Sequence, residues 1–115
     1  MKTTENNFGL FKNTVLKLMD KYQLNDYNVY FEWKELEGSD ARSSLQDDGN
    51  VTFALSTEIE NFHYKAEDYI KSLAKHEVIH CLIGRYTVLA EARYISEDEI
   101  KMESEHLVRK LEKLL

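Results

Sequence analysis

The spacing of hydrophobic residues changes along this chain, and each change marks an element. From Phe8 to Tyr22 the apolar positions Phe8, Phe11, Val15, Leu18 and Tyr22 recur every three or four residues, with Leu16 and Met19 broadening the stripe. That is the period of a helix with one face in a core. Asn25 and Asp26 end it. Tyr27, Val29, Phe31 and Trp33 then alternate with Asn28, Tyr30 and Glu32, predicting a strand whose aromatic and β-branched side packs inward. The polar segment Glu35 to Asp40, with Gly38, reads as a connection. Ala41 to Gln46 is a weaker strand, Asp47-Asp48-Gly49-Asn50 a turn, and Val51 to Leu55 a strand with Val51, Phe53 and Leu55 alternating. Ser56 to Lys65 has two readings, a wide loop or a short strand around Phe62 and Tyr64.

Helical spacing returns near Glu67, which with Asp68 sets negative charge at the positive end of a helix dipole. This helix carries Tyr69, Ile70, Leu73, Ala74, Val78, Leu82 and Ile83 and runs to Ala92 or Tyr94. Ser96, with Glu99 three residues later, has the form of a capping box. It opens a third helix with Ile100, Leu107, Leu111 and Leu114 along one line. The predicted fold is α+β: an N-terminal helix, a small three-stranded sheet, mixed or antiparallel, and two further helices packed on one face.

Composition narrows the function classes. The chain has 115 residues, no proline and four glycines, room for one core without a linker, so residues 1–115 are expected to form a single domain. Lys and Arg number 15 against 21 Asp and Glu, a formal net charge of −6, with −5 of it in residues 1–60. Neither half offers a basic face, so nucleic acid and anionic membranes are not expected partners. No apolar run is long enough to cross a membrane, and Met1 to Glu5 lacks the apolar stretch of a signal peptide. The lone Cys81 cannot form an intramolecular disulfide. The expected location is cytoplasmic.

The chemistry concentrates at His76-Glu77-Val78-Ile79-His80 in the second helix. A helix puts positions four apart on one face, so both imidazoles can reach one metal ion, and Glu77 is one step round, within reach of a metal-bound water. Zinc accepts neutral imidazole nitrogens, and three protein ligands plus water is its catalytic arrangement. Leu73, Ala74, Val78 and Ile83 are expected to form a nonpolar surround. The bland readings are a partly exposed histidine pair with a helix-favouring glutamate, or a metal site without catalysis.

A third ligand has to come from elsewhere. Glu103 interrupts the apolar line of the third helix with a charge, and a carboxylate in such a row needs a metal, a cation or open water. It stands 23 residues after His80, far enough for the chain to reverse, and is the first choice. Glu99, Glu91 and His106 are rivals. Glu99 is wanted for the cap, Glu91 would require the second helix to break early near Gly84, and His106 would require the third helix to rotate.

Residues His76 to His80 match the motif of the zincin metallopeptidases. The order of helix, small sheet, motif helix and glutamate-bearing helix over residues 8–111 resembles the small gluzincins called minigluzincins, and also SprT-like and phage-encoded metallopeptidase-like proteins. The resemblance implies that His76, His80 and a downstream residue, here Glu103, hold zinc, and that Glu77 is the general base. The metzincin branch would want glycine at position 83 and histidine at position 86, where this chain has Ile83 and Tyr86. The thermolysin-like surroundings of the third ligand are missing around Glu99 and Glu103, and Cys81 cannot supply the further cysteines of many SprT relatives.

The expected activity is peptide-bond hydrolysis by a zinc-bound water that Glu77 activates, on a peptide or protein substrate lying along a strand edge, either Ala41–Gln46 or Val51–Leu55. The alternative is a noncatalytic, zincin-like interaction or virion-associated module. Tyr64, Tyr86 and Tyr94 are read as packing aromatics rather than oxyanion donors, Trp33 as core against the second helix, and Cys81 as a small packed residue. Oligomeric state is left open.

Overall fold

A computed structural model describes the chain at residues 1–46, 48–59, 65–91 and 96–114, with side chains apart from those at positions 85–87, 89, 91 and 114. The elements in chain order are α1 (Glu5–Lys21), β1 (Asn28–Lys34), β2 (Ala41–Leu45), β3 (Asn50–Ser56), α2 (Ala66–Glu91) and α3 (Glu97–Leu114). Phe62, Tyr64 and Tyr94, and the side chains of Tyr86 and Glu91, lie outside the described residues.

Helix α1 begins ahead of its first apolar residue because Thr4 caps it. The Thr4 side chain accepts from the Asn7 amide at 3.2 Å, and the Asn7 side chain accepts from the Thr4 amide at 2.9 Å. Phe11, Val15 and Met19 are its buried stripe. It ends in a Schellman turn, where the Leu24 amide donates to the Met19 carbonyl and the Gln23 amide to that of Asp20. Gln23 takes the left-handed conformation there, at φ +58°, and this turn directs the chain into β1.

The sheet is mixed, in the order β1-β3-β2. β3 runs parallel to β1, with Phe31 opposite Phe53, and antiparallel to β2, with Ser43 opposite Phe53. β3 is central because it can be buried on both faces: Val51, Phe53, Leu55 and Ser56 are fully covered, and Ala54 nearly so. Of the two strands expected as possible edges, Val51–Leu55 is therefore interior, and β2 forms the edge. The Asp48–Asn50 part of the turn is stabilised by Asp48, which accepts from the Asn50 amide at 3.0 Å, and by Gly49 at φ +88°.

Helices α1 and α2 cover one face, where Phe11, Val15, Ile70, Ala74 and Val78 meet Val51, Phe53 and Leu55. Burying each of the larger side chains contributes roughly 1.5–3 kcal/mol. Trp33 packs against the core cluster as a half-buried residue: it stacks on Phe8 of α1, ring centroids 5.7 Å apart, and its indole N–H donates to Thr3 Oγ1 at 2.8 Å. Buried Asp40 accepts from the Tyr69 hydroxyl at 2.5 Å, which ties the start of β2 to the first turn of α2.

α3 packs lightly. It leans on the rest of the molecule through half-buried Glu103, Leu107 and Lys110. The Lys110 ammonium donates to the Gln23 carbonyl, and that of Lys113 to the Gln23 side chain, both at 3.1 Å. Among the described residues no helix is long and apolar enough to cross a membrane.

Candidate metal centre

Val78 and Ala74 press into the core and fix the rotation of α2 about its own axis. With that rotation set, His76 and His80 emerge at the surface, while Glu77, 100° round, turns toward β2 and is 7% exposed. The two imidazoles converge: their Nε2 atoms are 3.2 Å apart, and the ring planes meet at 75°. Two nitrogens at zinc–imidazole distances of about 2.0–2.1 Å on a tetrahedral ion are about 3.3–3.4 Å apart. The 3.2 Å contact is that of a hydrogen bond between the two imidazoles, and its spacing is also close to that of two nitrogens on one zinc ion.

A buried carboxylate is costly unless it is hydrogen-bonded. Glu77 meets that requirement through β2, where Ser43 Oγ donates to Glu77 Oε1 at 2.9 Å. The inward-facing positions of β2 are Ala41, Ser43 and Leu45, so a hydroxyl stands at the one inward place opposite the carboxylate. Sequence reasoning missed Ser43. The signal available was a polar residue on the inward register of an otherwise apolar alternation.

Between β2 and α2 lies a cavity of about 430 Å³, with Ser43, Leu45, His76, Glu77, His80 and Gly84 in its lining. Gly84 does not break the helix, which continues to Glu91. It permits a close approach instead: a Cβ there would stand 2.4 Å from Leu45 Cδ2, so a side chain would push Leu45 from its place on the cavity wall. Cys81 is buried and lines the same cavity, as a small packed residue. Ile83, expected in the nonpolar surround, is 43% exposed.

Glu103 is not brought to the histidine pair. It lines a separate, smaller pocket with Asp26, Tyr27, Leu82, His106 and Leu107, and its Oε1 lies 3.6 Å from His106 Nδ1. Leu82 is two residues beyond His80, some 200° round the helix, so α3 approaches α2 on a flank turned away from the imidazoles. Leu107 in that pocket, and Lys110 against Gln23 and Asp26, set this register. Of the rivals, His106 stays with Glu103, and the Glu99 amide donates to Ser96 Oγ at 3.1 Å in the first turn of α3. Among the described residues, no group of three His, Cys, Asp or Glu side chains is placed to hold a metal ion. Comparison with protein-family models, curated proteins and solved structures returned no match.

Proposed function

We propose that the protein is a zinc-dependent peptidase whose site is the His76–Glu77–His80 face of α2 beside β2. The observation that carries this reading is the 3.2 Å separation of the two imidazole Nε2 atoms, which suits a shared metal ion. When bound, zinc would act as a Lewis acid on a water and a carbonyl oxygen. His76 and His80 would hold it through their ring nitrogens.

The chain's own groups account for the rest. Ser43 occupies one oxygen of Glu77 and holds the carboxylate in orientation. The second oxygen is then the one suited to take a proton from water and return it to the leaving amine, the general acid–base role. Substrate preference follows from the sheet order: β2 ends the sheet beside the cavity, so an extended peptide can add to its outer edge. A noncatalytic interaction module is the second reading, favoured by the lack, among the described residues, of a third ligand for a metal ion.

Metal analysis and turnover separate the two. The zinc-loaded chain is expected to carry about one zinc and to cleave dye-labelled casein, and Glu77→Gln should keep the metal while lowering turnover about 100-fold. Zinc retention with no hydrolysis by the parent chain would support the interaction module. Failure to bind added zinc would remove the peptidase reading and leave the interaction module.

A further inference from the structure

α3 is an 18-residue helix on which no described residue is fully buried. Its half-buried flank, Glu103, Leu107 and Lys110, faces α2 and the Gln23 turn. A second stripe, about a quarter-turn away, carries Ile100, Ser104, Val108 and Leu111, and its large apolar residues are open to solvent: Ile100 45%, Val108 48%, Leu111 38%. Such a stripe on a lightly packed helix is stabilised when another surface covers it.

The charges indicate which surface. Residues 97–105 carry five acidic side chains and one basic, whereas residues 106–114 carry three basic and one acidic. A parallel copy of α3 would set acid against acid. An antiparallel copy sets each acidic half against a basic half. The same arrangement satisfies the stripe residue by residue. With the crossing centred on His106, Ile100 stands opposite Leu111 of the second copy and Ser104 opposite Val108. On the rim, Lys101 stands opposite Glu112. These pairs share their midpoint to within half a residue. A two-fold interface requires this kind of reciprocity, since residue i meets j and j meets i. Ser104 is small, so the axes can come close at the centre.

We propose that this stripe of α3 is a homodimer interface, formed with an antiparallel second copy of the chain. An 18-residue helix is only about 27 Å long, so the interface falls at the small end of the specific range and the dimer should be weak.

Sedimentation velocity on the full chain from about 1 µM to about 500 µM, the range in which a weak dimer forms, tests it. The expected result is a shift from the 13.6 kDa monomer to twice that mass with rising concentration. Val108→Asp, a surface change whose helicity is checked by circular dichroism, should weaken dimerisation at least 10-fold. Lys101→Glu should weaken it several-fold, and adding Glu112→Lys should restore it, because the rim pair is then swapped rather than broken. Only the antiparallel arrangement sets Lys101 against Glu112, so a dimer unchanged by Lys101→Glu, or one that Glu112→Lys fails to restore, would overturn the antiparallel assignment. A monomer at every concentration would overturn the proposal and leave the stripe to a different protein partner. A dimer indifferent to Val108→Asp would also overturn it, by locating the contact elsewhere.

Discussion

The two pockets that received the candidate residues make an instructive pair. One lies between α2 and β2 and holds His76, Glu77 and His80; the other lies between α2 and α3 and holds Glu103 and His106. Both use α2, yet they differ in how firmly their walls are set. β2 is hydrogen-bonded to a strand buried on both faces, and Asp40 anchors its start to Tyr69. α3 is held by one apolar patch and lysines reaching the Gln23 turn. A side chain's chemical partners are legible in advance where the backbone beneath it is fixed by a core, and much less so where a helix is free to choose its register.

The sharpest way to break this comparison is to remove the core under the first pocket. Phe53→Ala, at a fully buried central-strand position, should cost about 3–5 kcal/mol in urea unfolding, whereas Leu111→Ala on α3 should cost less than about 0.5 kcal/mol under monomeric conditions. Equal losses would mean that α3 belongs to the same cooperative core.

Metal affinity compares the pockets directly. His80→Ala should weaken zinc binding at least about 100-fold in a chelator competition, while Glu103→Ala, from the place it occupies on the far flank of α2, should change it by less than about twofold. A large loss with Glu103→Ala would show that α3 rotates to deliver this carboxylate when zinc binds, as the sequence suggested. A smaller effect is expected at Ser43. Ser43→Ala leaves the buried Glu77 carboxylate short of a donor and should lower unfolding free energy by about 1–2 kcal/mol, with little change once Glu77→Ala has removed the acceptor. The smallest change concerns the turn that receives α3. Gln23→Gly relieves a left-handed residue but gives up the Lys113 hydrogen bond, so a net gain within about 1 kcal/mol is expected in thermal unfolding.

Much of the fold could be read from spacing. Three- and four-residue recurrence located α1, α2 and α3, and alternation located the three strands, because burial on one face imposes those periods whatever the partner. End points were less legible. α1 starts earlier than its apolar pattern because Thr4 and Asn7 are polar and cap it, and the pattern registers only the buried stripe. Gly84 taken alone left room for a helix break, yet it serves close packing, and its neighbour Leu45 is 39 positions away along the chain.

The residue order alone was enough to place His76 and His80 one helical turn apart and Glu77 beside them, because helix geometry is local and repeats every few residues. It also dictated an α+β chain whose inward faces are apolar. The strand order was a tertiary decision: β3 came to lie between β1 and β2 because only its side chains tolerate burial on both faces, leaving β2 as the edge beside the imidazoles. Ser43 met Glu77 for the same reason, across 34 residues of sequence. The position of Glu103 was tertiary too. Its charge within an apolar row showed that it needed a polar neighbour or water, but which neighbour depended on the flank of α2 that α3 came to rest against, and long-range packing sets that choice.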